Sequence, residues 1–255
     1  MTFHVVIPAR FGSERLPGKP LADIHGKPMI VRVAEAASRS LAAEVVVATD
    51  DERIVSAVAE AGYQAEMTRS DHASGSDRVM EVATNRGWAD DAIVLNVQGD
   101  EPQVPAAVLN QLADSLAADS TLASATLCEP VLTYEALLDP NLVKVVRASD
   151  GRALYFSRAA IPFGREHFSA SGERAGDLPA VGRWWRHIGV YGYRCWALRR
   201  FVGLPLGQLE ALEKLEQLRL LENGLEMQVL EACEEVPGGI DTPEDLERVR
   251  AELAP

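Results

Sequence analysis

Apolar and polar positions follow two periods along this chain, and their order predicts its elements. Residues 3–7 are apolar or β-branched around a single His4, the pattern of a buried strand, and Pro8, lacking an N–H, is expected to end it. Residues 28–40 change to a helical period, with Ile30, Val33, Ala34 and Ala37 on one face and Pro28 suited to the first turn. A second strand spans 44–49, and a helix over 52–61 closes at Gly62, a residue suited to the left-handed turn after a helix. A short strand at 64–68 and a polar run at 69–78 lead into a helix that turns Val79, Val82 and Ala83 inward. Residues 92–97 form the most apolar strand. This alternation predicts an α/β fold of Rossmann-like character, with a mostly parallel sheet and helices on both faces.

The rhythm changes after residue 121. Strand-like runs at 124–128, 143–147, 153–157 and 187–193 follow one another without full helices, which predicts a smaller antiparallel extension over 122–193. Within it, 164–182 carries Ser169, Ser171, Gly172 and Gly176 and reads as a mobile loop. Residues 194–255 return to the core. There, 209–222 reads as one amphipathic helix with a stripe of Leu209, Leu212, Leu215, Leu218 and Leu220/Leu221, and 228–232 as a last strand. The final helix is expected to start at Thr242 as N-cap, with Pro243 in its first position and Asp245 three residues after the cap.

Composition narrows the function classes. The chain has 255 residues, enough for a full core, and a net charge of −13 that argues against a general nucleic-acid surface. No apolar run reaches the roughly 18 residues of a membrane span, and the start lacks the basic and apolar regions of a signal peptide. Cys128, Cys195 and Cys233 are odd in number and far apart, against both a disulfide frame and a zinc site. A reducing cytoplasm is the expected location.

Cations are nevertheless concentrated in one place. Arg10, Arg15 and Lys19 are spaced around Gly12 and Gly18 directly after the first strand, an arrangement able to hold a polyphosphate. It is no Walker A loop, since Pro20 follows Lys19, and no G-x-G-x-x-G is present. The bare pattern fits an ordinary basic loop equally well. Asp100 and Asp241 each follow an apolar strand and a glycine, and the rim of a parallel sheet would bring both near that loop. Two carboxylates facing bound phosphates suit magnesium, although either alone reads as a turn residue or cap. Ser74-Gly75-Ser76-Asp77-Arg78 is a capped helix start with free N–H groups. His187, Gly189 and Tyr191 share one face of their strand, where they could grip a polyhydroxylated acid or form a structural pair.

Pro8-Ala9-Arg10, then Ser13-x-Arg15-Leu16-Pro17-Gly18-Lys19-Pro20-Leu21, resembles the sugar-activating cytidylyltransferases and, among them, the CMP-Kdo synthetase family (3-deoxy-manno-octulosonate cytidylyltransferases). The likeness continues through Val97-Gln98-Gly99-Asp100-Glu101-Pro102, Arg186-His187-Ile188-Gly189-Val190-Tyr191 and Asp241-Thr242-Pro243-Glu244-Asp245-Leu246. The resemblance implies transfer of CMP from CTP to a 2-keto sugar acid, Kdo, with release of diphosphate, for lipopolysaccharide biosynthesis. It implies magnesium on Asp100 and Asp241, which makes a general base unnecessary. Arg10, Arg15 and Lys19 are then implied on the triphosphate, and Pro8, Ala9, Ser74, Gly75, Ser76 and Arg78 around the nucleotide. Ser76 stands where the family usually has Thr, which keeps the hydroxyl. Gln98, His187, Tyr191, Glu210, Glu213 and Gln217 are implied near the sugar, whereas Glu216 and Arg219 read as solvated helix charges. A nucleotide-binding core over 1–121 and a homodimer through the extension are implied as well. Transfer to 8-amino-Kdo or sialic acid stays open. A non-catalytic nucleotide sensor also stays open, though it would be expected to have lost Asp100, Asp241 or Lys19.

Overall fold

The computed structural model describes residues 2–12, 16–165, 168, 176–179 and 183–254. Strand β1 (Phe3–Ala9) leads through a 3-10 turn (Lys19–Leu21) and a tiny hairpin, β2 (Asp23–Ile24) and β3 (Lys27–Pro28), to helix α1 (Met29–Ala37). Then come β4 (Glu44–Thr49), α2 (Glu52–Glu60), β5 (Gln64–Met67), α3 (Gly75–Asn85), β6 (Ile93–Asn96) and α4 (Ala106–Ala118). The middle of the chain supplies β7 (Ser124–Val131), α5 (Tyr134–Leu138), β8 (Lys144–Arg147), β9 (Ala153–Ser157) and the long β10 (Trp184–Arg194). Helices α6 (Cys195–Val202), α7 (Gln208–Glu213) and α8 (Gln217–Glu222), strand β11 (Met227–Glu231) and helix α9 (Pro243–Glu252) complete it.

The main sheet has the order β11-β7-β10-β6-β1-β4-β5, with β8 and β9 attached to one side of β10. The pairs β6-β1, β1-β4, β4-β5 and β11-β7 are parallel, and β10 is antiparallel to its neighbours. Side chains of β1 alternate between the two faces: Phe3, Val5 and Ile7 pack with α1, α2 and α4, and Val6 packs with α3, α6 and α8. The expected α/β architecture with helices on both faces is therefore present.

Three local expectations change. Pro8 does not end β1, which runs to Ala9 and keeps Pro8 opposite Ala48. Val6 bonds towards β6, through the Val97 N–H on the Val6 carbonyl, so the missing N–H of Pro8 falls on that same side, beyond the end of β6. Two strands expected in the antiparallel extension, β7 and β10, lie within the main sheet, and β8 and β9 alone project from it. The single helix expected over 209–222 is two helices, because Lys214 adopts a left-handed conformation (φ 55°) and turns the chain between α7 and α8. Leu212 consequently faces solvent at 80% exposure instead of joining a stripe. Much of 164–182, read as a mobile loop, lies outside the described residues, as does Arg15.

Candidate active site

The carboxyl ends of β1 and β6 open into a cleft of about 810 Å³. One wall is Pro8, Ala9 and Arg10, and the other is the turn Gln98-Gly99-Asp100 that follows β6. These walls touch because residue 99 is glycine: a Cβ there would stand 2.8 Å from the Pro8 carbonyl oxygen. Gly18, with φ 70°, turns the first loop into the 3-10 turn and so buries Lys19. Lys19 Nζ then donates to Asp100 Oδ2 at 2.6 Å and to Asp241 Oδ1 at 3.1 Å. Asp241 reaches this position because the Ile240 N–H bonds the Asp100 carbonyl at 2.9 Å. The Thr242–Asp245 capping box of α9 anchors the following residues. Arg10 is exposed at the cleft.

Helix α3 begins at the same cleft. Ser74 and Asp77 form a capping box, which leaves the first-turn N–H groups of Gly75 and Ser76 without intrahelical acceptors. Ser76 Oγ donates to Glu216 Oε2 at 3.0 Å. Arg78 is buried, pairs with Asp50 at 3.0 Å, donates to Thr68 Oγ1 and lines the cleft.

A second cavity of about 470 Å³ adjoins the first and shares Gly75, Gln98 and Glu216 with it. His187, Gly189 and Tyr191 line it together, as the shared strand face predicts, although the register of β10 against β7 shifts between Ile188 and Tyr191. Thr126 Oγ1 lies 3.0 Å from His187 Nε2, 3.0 Å from the Ile188 carbonyl and 2.9 Å from the Val190 carbonyl, pinning this irregular stretch. His187 packs edge-on against Phe156, and burial pushes its pKa down to about 3. Burial raises the Tyr191 phenol. Both are therefore neutral at neutral pH and can act only through hydrogen bonds, not charge. Gln217 lines the cavity as well.

Two of the sequence-implied sugar residues lie elsewhere. Glu210 forms a two-pronged pair with Arg219, both contacts at 2.6 Å, and Glu213 accepts from Ser157 Oγ at 2.6 Å and from the Arg158 N–H at 3.0 Å. Neither lines either cavity. Glu216 and Arg219, read as solvated, are instead largely enclosed, because the turn at Lys214 swings α8 inward, and burial raises the Glu216 carboxyl. Sequence reasoning also missed Asn96, Asn141 and Arg158, which line the second cavity. Only Asn96 had a visible signal: it stands two residues before Gln98 in an apolar strand, and so on the same face.

Among the described residues no three metal-ligating side chains cluster. Two carboxylates converging on one cation nevertheless form the hard-oxygen donor set that magnesium uses beside phosphate oxygens, so the residues fit that ion. Beside them, burial pushes the Glu101 carboxyl up to about 8, and Asp100 adds to the effect.

Comparison with known proteins finds relatives over nearly the whole chain. A 3-deoxy-manno-octulosonate cytidylyltransferase of Alcanivorax borkumensis is 52% identical over 99% of both chains. Its counterpart in Cellvibrio japonicus is 53% identical over 99% of this chain and 98% of its own. The structure of a CMP:2-keto-3-deoxy-manno-octonic acid synthetase complexed with CTP superposes with a TM-score of 0.89 at 42% identity, covering 99% of this chain and 98% of that one. A Leptospira borgpetersenii cytidylyltransferase, 15% identical with a TM-score of 0.60 over 98% of this chain and 85% of its own, shares the fold. Residues 4–230 match the family model described as Cytidylyltransferase, and with full-length relatives above 50% identity the chain belongs to the 3-deoxy-manno-octulosonate cytidylyltransferase family.

Proposed function

We propose that this chain transfers CMP from CTP to 3-deoxy-manno-octulosonate, forming CMP-Kdo and diphosphate. One observation carries the reading: a cleft ending in Lys19, Asp100 and Asp241 adjoins a cavity of neutral hydrogen-bonding groups, and Gln98 borders both. A nucleotide in the first and a sugar acid in the second would meet at Gln98. The anomeric 2-hydroxyl attacks the α-phosphorus, the bond to the departing diphosphate breaks, and the hydroxyl proton passes to solvent water.

The start of α3, with Ser74, Gly75, Ser76 and Arg78, and Pro8 and Ala9 at the end of β1 hold the nucleotide. Arg10, Arg15 and Lys19 neutralise the triphosphate and the leaving diphosphate. Asp100 and Asp241 would hold a magnesium ion, which when bound neutralises phosphate charge and lowers the pKa of a coordinated hydroxyl. Gln98, His187, Tyr191 and Gln217 orient the sugar acid. Glu210 and Glu213 act one layer behind, by holding Arg219 and the 157–158 turn.

A homodimer through the extension is part of the same reading. Leu132, Leu154 and Phe163 expose 69%, 51% and 65% of their surface there, an apolar set suited to a second copy. Light scattering of the purified chain tests it, and a monomer at micromolar concentration would end it. The cytoplasm, where CTP is made, and lipopolysaccharide biosynthesis complete the proposal. Among the described residues no helix is long and apolar enough to cross a membrane.

The decisive assay is diphosphate release with magnesium and CTP, offering Kdo, 8-amino-Kdo and sialic acid in parallel. Turnover with Kdo is the expected result. Turnover only with another acid would keep the chemistry and reassign the second cavity. Silence with all three, in a folded sample that binds CTP, would make the chain a nucleotide sensor.

A further inference from the structure

Two side chains lining the second cavity each bury one polar atom that has no hydrogen-bond partner among the described residues. Asn96 on β6 is 1% exposed and Gln217 on α8 is 3% exposed, and both line the cavity. Asn96 Oδ1 and Gln217 Nε2 have no partner among the described residues. A buried polar atom left unpaired destabilises the fold, and folded chains keep few of them. Asn96 follows the apolar run Ile93-Val94-Leu95, at a position where a leucine would complete the strand. Its cross-strand neighbour is Tyr191, and Gln98, two residues beyond the strand, lines the same cavity. The amide is thus costly to the fold and is set among the groups that border the cavity.

The chemistry of the two orphan atoms names their ligand. Asn96 Oδ1 accepts and Gln217 Nε2 donates. A hydroxyl donates one hydrogen bond and accepts others, so it complements both. A carboxylate would satisfy only the donor, an ammonium only the acceptor, and an alkyl group neither. Each carboxamide also carries both functions, so the match to a hydroxyl holds whichever way the amide is turned.

We infer that Asn96 is a specificity-determining residue of the sugar-acid site, which together with Gln217 receives one of the non-anomeric hydroxyls. The inference rests on the function proposed above. It implies discrimination by hydrogen bonding: a sugar acid lacking that hydroxyl leaves two buried amides unpaired and is rejected more strongly than lost surface alone would achieve.

The test compares the wild-type chain with Asn96→Leu, which keeps the branched shape and removes the polar atoms. Each is assayed with Kdo and with analogues in which one non-anomeric hydroxyl at a time is replaced by hydrogen. For Asn96→Leu, kcat/KM for Kdo is expected to fall about 10- to 100-fold, with KM for CTP within about twofold of wild type. The wild type should reject one analogue by about tenfold or more, and Asn96→Leu should not distinguish that analogue from Kdo. The melting temperature of the variant should equal or exceed the wild-type value, because an unpaired acceptor has been removed. Asn96→Ala, which only deletes atoms, provides the same comparison if leucine does not pack. Equal loss against every analogue together with a lower melting temperature would make Asn96 a structural residue and overturn the inference. An active wild type matched by both variants would overturn the inference alone. A wild type that turns over no sugar acid would overturn the proposed function and this inference with it.

Discussion

Lys19 and Asp100, far apart in the chain, are joined by a 2.6 Å contact between Nζ and Oδ2, and Asp241 approaches the same ammonium at 3.1 Å. Three charged groups therefore share one point of the cleft. Asp100→Asn removes one negative charge without changing shape. Its kcat is expected to fall by about a hundredfold or more, with an unchanged circular dichroism spectrum. A variant retaining near-wild-type turnover would remove Asp100 from the chemistry.

Arg10 is exposed at this cleft and lies directly after β1. Arg10→Ala should weaken phosphate stabilisation, raising KM for CTP and lowering kcat by about tenfold each, with little effect on KM for the sugar acid. Steady-state kinetics in both substrates would reveal the asymmetry. Unchanged constants would make the residue part of an ordinary surface loop.

Gly99 separates Gln98 from Asp100 and packs on the end of β1. A methyl group at this position would stand 2.8 Å from the Pro8 carbonyl, a backbone atom that cannot rotate away. Gly99→Ala must displace one cleft wall, and an overpacked site of this kind typically loses about 1–3 kcal/mol. Activity should fall by about tenfold or more, because Gln98 and Asp100 move with the turn. Full activity in Gly99→Ala would show that the two walls need not touch.

The pair Glu210–Arg219 is largely enclosed and two-pronged, whereas Leu212, two residues on, is 80% exposed. Glu210→Ala strands a largely enclosed guanidinium and should cost about 3 kcal/mol, seen as a melting temperature lower by about 6–12 °C. Leu212→Gln should change stability by less than about 0.5 kcal/mol. Melting curves of the two variants test the break between α7 and α8. The reverse order of effects would restore one continuous helix.

His187 keeps its ring neutral well below the usual imidazole range, since burial lowers its pKa from 6.5 to about 3. Between these values the unfolded chain binds one more proton at this position than the folded chain. The stability from neutral His187 is thus complete above about pH 6.5 and is lost as pH falls, by at most about 1.4 kcal/mol per pH unit. His187→Gln has no such proton to take up. Denaturant titrations from about pH 7 to 4 should show a shallower acid loss in the variant. An identical slope would mean that His187 titrates alike in both states.

What the chain's own letters determined is local. The 2.0 and 3.6 periods marked β1, β4, α2 and the Thr242 cap of α9, because burial of one face and the bonding of free helix N–H groups depend on nearest neighbours. The cluster of cations after β1 was visible for the same reason. Tertiary structure decided what depends on distant partners. The place of β7 and β10 in the main sheet follows from pairing with β6 and β11, which no local period encodes. The turn at Lys214 was hidden because a leucine stripe continues across it and no glycine marks the left-handed residue. Glu216 was drawn into the site, and Glu210 tied to Arg219, only once that turn had set the direction of α8. Asn96 shows the boundary most clearly: sequence places a polar residue at the end of an apolar strand, but an unpaired amide exists only when packing has excluded water and every partner.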